Sequence, residues 1–237
     1  CFCCGTLLSM ALELARTNPA YEDIASKFFE HFVQIVDAMN EVGGAGLWDE
    51  EDGFYYDQLL IDDQDPNTRG TTLPLRVRSM VGIIPLLAVE VLEQETVAAL
   101  PDFQKRMRWF VKNRRDLALH VSYMERCEGR QKRELRLLAI PSRERLTRVL
   151  RYVLDEGEFL SPYGVRSLSR RYADHPYSLN LNGNEFTLRY EPAESQSGMF
   201  GGNSNWRGPI WFPINYLLIE ALEGYDHYYG DSFKIGC

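Results

Sequence analysis

The chain has 237 residues, 45% of them hydrophobic and 25% charged, a composition that belongs to globular proteins and lies outside the collagenous, disordered and coiled-coil classes. Its 26 Lys and Arg against 34 Asp and Glu leave a formal net charge of −8, which argues against nucleic acid as the main partner, since binding to it begins with phosphate neutralisation. No apolar run approaches the roughly 20 residues of a bilayer span, so no membrane association is expected.

The N-terminal stretch Cys1-Phe2-Cys3-Cys4-Gly5 has neither an initiating Met nor a basic n-region, and reads as a cut rather than a signal peptide. The five cysteines, three crowded at positions 1, 3 and 4 with Cys127 and Cys237 far away, lack the paired spacing of a disulfide framework or a zinc site. Free thiols in a reducing, cytoplasmic compartment are expected, with no metal and no cofactor.

Leu7–Ala15 reads as a helix. Tyr21, Ile24, Ala25, Phe28, Phe29, Phe32, Ile35, Val36 and Met39 follow the i, i+3, i+4, i+7 pattern of a second, with Asn18-Pro19 as N-cap and first-turn proline and Gly43-Gly44 as the stop. The two predict a helical hairpin. Residues 47–57 read as loop, acidic turn and short aromatic strand, and 73–79 as its partner strand. Helical periodicity is assigned again to Ile83–Leu92, Phe103–Val111, Leu146–Leu154 and a last helix from Pro209 to about Tyr225. Residues 101–151 hold 15 of the 26 basic residues but only 6 acidic ones; the arginines alternate with leucines at helical spacing, which predicts a solvated face or one docked on an acidic neighbour.

Asp63-Gln64-Asp65-Pro66-Asn67 opens like a calcium loop, but Thr68 stands where Gly is needed and Pro74 where a bidentate Glu is needed, so it reads as a surface turn. His31, His120, His175 and His227 form no metal-binding pair, and no nucleophile elbow or phosphate loop occurs. What remains is aromatic, amide, Arg and carboxylate groups on loops: Trp48-Asp49 with Phe54 to Asp57, Arg76 and Arg78, Glu191 and Glu194, and the run Gly201–Trp211. Flat rings stack on the C–H faces of sugars, and planar donors and acceptors bond sugar hydroxyls, so this inventory suits a carbohydrate. The competing reading makes Trp206 and Trp211 core residues at a helix entry. Any two of Asp49, Asp52, Asp57, Glu191 and Glu194 could be proposed as a glycosidase carboxyl pair, and spacing alone does not choose between them.

The strings Gly46–Asp57, Leu75–Gly82, Ser161–Ser169 and Asn203–Trp211 resemble, in this order and across nearly the whole chain, the catalytic domain of glycoside hydrolase family 63-like proteins. That group includes processing α-glucosidases, mannosylglycerate hydrolases and large prokaryotic glucosidases. The resemblance implies an all-α fold, part of an (α/α)6 barrel of six helical hairpins with a small β-hairpin insertion, and makes residues 1–237 one incomplete, central part of that domain. It implies hydrolysis of α-glucosides or related α-linked sugars with inversion, by an Asp acid upstream of Cys1 and a Glu base beyond Cys237. No catalytic role then passes to Asp49, Glu191 or Glu194. Substrate binding is carried over to Trp48, Asp49, Tyr55, Arg78, Asn205, Trp206, Arg207 and Trp211, with Trp48, Tyr55, Trp206 and Trp211 expected on one concavity. The implied partners are a carbohydrate substrate and the remainder of the chain's own catalytic domain. Apolar faces at 83–92 and 217–222 should then lack part of their cover. The alternative is a non-catalytic helical carbohydrate-binding or scaffold module using the same aromatics.

Overall fold

A computed structural model describes residues 2–41, 46–61, 70–113, 126–128, 134–181, 183–191 and 210–236. The element order is α1 (Phe2–Ala15), α2 (Ala20–Glu41), β1 (Trp48–Asp49), β2 (Phe54–Tyr55), β3 (Asp57–Ile61), β4 (Thr71–Leu75), β5 (Val89–Glu93), α3 (Gln94–Ala99), α4 (Pro101–Asn113), β6 (Arg126–Glu128), β7 (Glu134–Ala139), α5 (Arg143–Val153), β8 (Leu160–Ser161), β9 (Gly164–Val165), β10 (Tyr177–Leu181), β11 (Asn184–Leu188) and α6 (Phe212–Tyr229). The all-α, six-hairpin expectation is therefore corrected: the strands form four two-stranded and one three-stranded antiparallel sheets among the described residues. The chain divides into two compact units.

The first unit comprises residues 1–46, 85–144 and 218–234. The expected α1–α2 hairpin is present. Asn18 Oδ1 accepts the Ala20 amide at 3.1 Å, so an asparagine followed by proline starts α2 as the sequence indicated. Gly43-Gly44, the expected stop, lies outside the described residues. On the buried face of α2, Phe29 meets Phe103 and Phe110 of α4 edge-to-face, with centroids 6.1 and 5.7 Å apart. Glu22 of α2 fixes where α4 begins: its Oε2 accepts the amides of Asp102 and Phe103, both at 2.9 Å. A carboxylate at those otherwise unpaired N–H groups also complements the helix dipole.

The tract Ile83–Leu92, expected as a helix, is one 3-10 turn (Ile84–Leu87), preceded by another at Met80–Gly82, and then β5. Pro85 lacks the N–H a continuous helix requires, and Val89 and Val91 favour the extended chain that pairs with β7. Within this unit β5, β7 and β6 form the three-stranded sheet in the order β5-β7-β6. Leu86, Leu87, Ala88 and Leu92 are buried and do not lack cover, whereas the 217–222 face is covered only in part, Leu218 and Ala221 being buried and Ile219 57% exposed.

Glu90 on β5 lies against α1. Ser9 donates to its Oε2 at 2.5 Å, and a Cβ on Gly5 would stand 2.9 Å from its Cγ, so glycine is what admits the carboxyl there. Burial raises the Glu90 pKa above the ordinary carboxylate value, although the Ser9 bond works the other way. With the folded-state pKa above the unfolded one, the contribution to stability is present at acid pH and is lost as pH rises through the raised value. Glu90→Gln is expected to be more stable than the native chain at pH 7, the difference vanishing at about pH 4, near the ordinary Glu pKa. Urea unfolding at the two pH values checks this, and a variant less stable at pH 7 would contradict it.

The second unit comprises residues 47–84, 145–217 and 235–237. The aromatic strand expected at 54–57 pairs differently from the sequence reading. Phe54 and Tyr55 oppose Asp49 and Trp48, whereas Asp57–Ile61 opposes Thr71–Leu75. Phe54 stacks on Phe159 at 5.9 Å and meets Tyr152 of α5 edge-on at 5.7 Å. A second apolar cluster joins Val77, Leu168, Tyr172 and Leu188.

Candidate functional site

The acidic turn between β1 and β2 is built by its own residues. Asp49 Oδ1 accepts the Asp52 amide at 2.9 Å, the Asp49 carbonyl accepts the Gly53 amide at 2.9 Å, and Gly53 takes φ +68°, a conformation that favours glycine. A Cβ on Gly53 would lie 2.2 Å from Arg148 Nε, so the absent side chain also makes room for that arginine. Arg148 bonds Glu50 Oε1 at 2.8 Å and the carbonyls of Glu50 and Glu51 at 2.6 and 3.2 Å. Arg148 of α5 thus docks on the acidic turn.

Trp48 sits at the centre of this contact. Its ring meets Tyr55 across the strand pair at 4.9 Å, the guanidinium groups of Arg145 and Arg148 lie 4.9 and 5.4 Å from its centroid, and its indole N–H donates to Glu50 Oε2 at 2.6 Å. Asp49, which is mostly covered, pairs with half-exposed Arg76 at 2.9 Å.

Arg78 is buried beneath the same turn. Its Nη1 donates to Glu158 Oε1 at 2.6 Å, and its Nη2 to Asp52 Oδ1 and the Tyr152 hydroxyl, each at 3.3 Å. The guanidinium carbon also lies 4.2 Å from the centroid of the Tyr152 ring. Tyr152 donates to the Asp52 carbonyl at 2.6 Å, Tyr56 to Asp52 Oδ2 at 2.8 Å, and Ser169 to Glu158 Oε2. The Arg78 amide donates to the Tyr172 hydroxyl at 2.8 Å, and Tyr172 donates to the Arg76 carbonyl at 3.3 Å. Burial, the largest single effect, opposes the Arg78 charge, but Glu158, Tyr56 and Tyr152 together outweigh it and raise the pKa, so the group stays cationic. Burial and the bond to Asp52 raise the Tyr56 pKa, which keeps the phenol a donor.

Four of the eight expected sugar-binding residues, Trp48, Asp49, Tyr55 and Arg78, therefore belong to one neighbourhood. Trp211 stands half-exposed just before α6, its carbonyl accepting the Asn215 amide at 3.1 Å. Asn205, Trp206 and Arg207 lie outside the described residues, as do Glu194 and the turn at 63–67. The sequence reading did not single out Glu158, Tyr152 or Tyr172. Ser169 lies in one of the family-like motifs, but Glu158 closes the run Asp155-Glu156-Gly157-Glu158, which looks like any exposed acidic turn. Among the described residues no group of three or more His, Cys, Asp or Glu is placed to hold a metal, and no described helix is long and apolar enough to cross a membrane.

The motifs around this neighbourhood are those of the family resemblance, and comparison with known proteins bears it out. Residues 136–231 match the mannosylglycerate hydrolase MGH1-like glycoside hydrolase domain. Tyr152, Glu158, Ser169, Tyr172 and Trp211 lie inside the matched segment, whereas Trp48, Asp49, Asp52 and Arg78 precede it. The uncharacterized protein YMR196W of Saccharomyces cerevisiae is 46% identical over 246 residues, covering 98% of this chain and 22% of its own length. A probable mannosyl-oligosaccharide glucosidase of Schizosaccharomyces pombe is 36% identical over 78 residues, covering 33% of this chain and 7% of its own. The chain thus spans about a fifth of the first relative and less than a tenth of the second. No solved structure matches.

Proposed function

We propose that the chain is part of an inverting glycoside hydrolase acting on α-glucosides or related α-linked sugars. It contributes sugar-binding surface, and the general acid and base come from outside these 237 residues. The observation that carries the reading is the match of residues 136–231 to a glycoside hydrolase domain, reinforced by the likeness to a protein described as a probable mannosyl-oligosaccharide glucosidase. The geometry agrees with the division of labour. Asp49 is paired with Arg76, and Asp52 and Glu158 with Arg78, so these carboxylates serve structure rather than proton transfer. Trp48 and Asp49 belong to the sugar-facing surface, buried Tyr55 and Arg78 brace it from beneath, and half-exposed Trp211 is a further binding residue.

Release of glucose or mannose from α-linked oligosaccharides by the full-length polypeptide tests this. Trp211→Ala is expected to lower kcat/KM about tenfold or more, which corresponds to ~1.4 kcal/mol of transition-state binding. Unchanged kinetics in the variant would remove Trp211 from the site. Absence of release from any α-glucoside or α-mannoside would favour the second reading, a non-catalytic carbohydrate-binding module, which the pairing of these carboxylates with arginines also suits.

A further inference from the structure

The turn between β8 and β9 is held more firmly than its length requires. The Ser161 hydroxyl donates to the Gly164 carbonyl at 2.7 Å and accepts the Tyr163 amide at 3.2 Å. Gly164 has φ +126°, and a Cβ there would stand 2.8 Å from Asn215 Oδ1 and 3.2 Å from Ile210 Cγ2, so glycine lets the hairpin backbone seat against the start of α6. Asn215 closes the junction from the helix side. Its Oδ1 accepts the Val165 amide at 2.6 Å, and its Nδ2 donates to the carbonyls of Val165 and Trp211 at 3.1 and 3.0 Å.

Large rings stand in solvent around this clamp. Tyr163, at the tip, is 87% exposed, Phe212 in the first turn of α6 is 78% exposed, and Tyr216 one turn later is 54% exposed. Among the described residues Tyr163 and Phe212 are left this exposed, yet the backbone beneath them is fixed. Neither 159–165 nor 210–217 contains a charged residue. These two described stretches themselves offer no group to neutralise a phosphate, a carboxylate or an ammonium group. It matches a neutral ligand with apolar faces and hydroxyl edges, for which flat rings on a rigid mount lose little freedom on binding.

We propose that Tyr163 and Phe212 form a stacking site for an uncharged α-linked oligosaccharide, presented by the Asn215 clamp. The inference rests on the carbohydrate reading above and adds Phe212, which lies in none of the motifs, and Tyr163, which lies in one of them without a role assigned to it. Because both rings are exposed, Tyr163→Ala and Phe212→Ala are expected to leave the fold and its melting temperature unchanged.

The test is calorimetric titration of the full chain with maltoheptaose, with an α-linked mannoheptaose as second probe. Each alanine variant is expected to bind one of the probes about tenfold more weakly, with Tyr163→Phe binding as the native chain does, since the ring and not the hydroxyl does the stacking. Equal binding by native and alanine variants overturns the proposal, as does binding of neither sugar by the native chain. Sedimentation supplies the competing outcome: a native dimer that becomes monomeric in the variants would make this face an interface between copies and overturn the sugar site. The two proposals fail separately. Hydrolysis that persists unaltered in both alanine variants removes the stacking site alone, whereas variant-sensitive binding by a protein that hydrolyses no α-linked sugar removes the hydrolase reading and leaves the site.

Discussion

Replacing Arg78 by Met is expected to cost about 3–5 kcal/mol of folding stability, the usual consequence of removing one partner from a buried ion pair. Asp52 and Glu158 would be left facing each other with no cation between them, and the two hydroxyls that donate to them, Tyr56 and Ser169, carry no charge to compensate. Arg78→Lys is expected to recover little of the loss. An ammonium is a compact point charge, whereas the guanidinium fork reaches Glu158 with one nitrogen and Asp52 and Tyr152 with the other while lying over the Tyr152 ring. Urea unfolding measures both variants; a loss below about 1 kcal/mol in Arg78→Met would place the cluster among ordinary surface pairs and contradict this reading.

Gly82→Ala carries the second large expectation. Its backbone is pressed against the β1–β2 hairpin so closely that a Cβ would sit 2.2 Å from Phe54 Cε1 and 2.3 Å from the Tyr55 carbonyl oxygen. The phenyl ring cannot swing away, because it is fully buried between Phe159, Tyr56 and Tyr152, and the carbonyl belongs to a strand. The methyl group must therefore displace backbone, at about 3 kcal/mol or more, the upper range for overpacking. The hairpin that carries Trp48 and Asp49 would shift with it. A thermal melt within a degree or two of the native chain would show that the 3-10 turn yields more easily than its contacts indicate.

The elements legible in the sequence were those whose structure is decided locally. The α1–α2 hairpin and helices α4, α5 and α6 each keep a 3.6-residue apolar period and have local boundary residues such as Asn18-Pro19 and Pro101. The Ile83–Leu92 run misled because a short, continuously apolar stretch has no period. Its state is set by which neighbour buries it, and here the neighbour is β7. Glu134–Ala139 itself is Leu-rich, a helix-favouring composition overridden by pairing on both edges.

The site divides along the same line. Trp48, Asp49, Tyr55 and Arg78 could be picked out because the strings that contain them are distinctive. That Arg78 is answered by Tyr152 and Glu158, 74 and 80 positions away, depends on long-range folding that no local pattern encodes. Tyr163 and Phe212 were passed over for the opposite reason: their interest lies in their exposure, and a sequence shows an aromatic residue without showing which side of the surface it occupies.

The central claim is that this chain belongs to a hydrolase that inverts an α-glycosidic bond, and proton NMR of the first product anomer tests it most directly. An α-glucoside with a non-sugar leaving group, such as p-nitrophenyl α-glucoside, is mixed with the full-length polypeptide, and the H1 signals of released glucose are followed before mutarotation equalises them. Inversion predicts that β-glucose appears first and α-glucose only later, by mutarotation. Initial release of α-glucose would show a retaining mechanism, and either that result or the absence of any release would contradict the account.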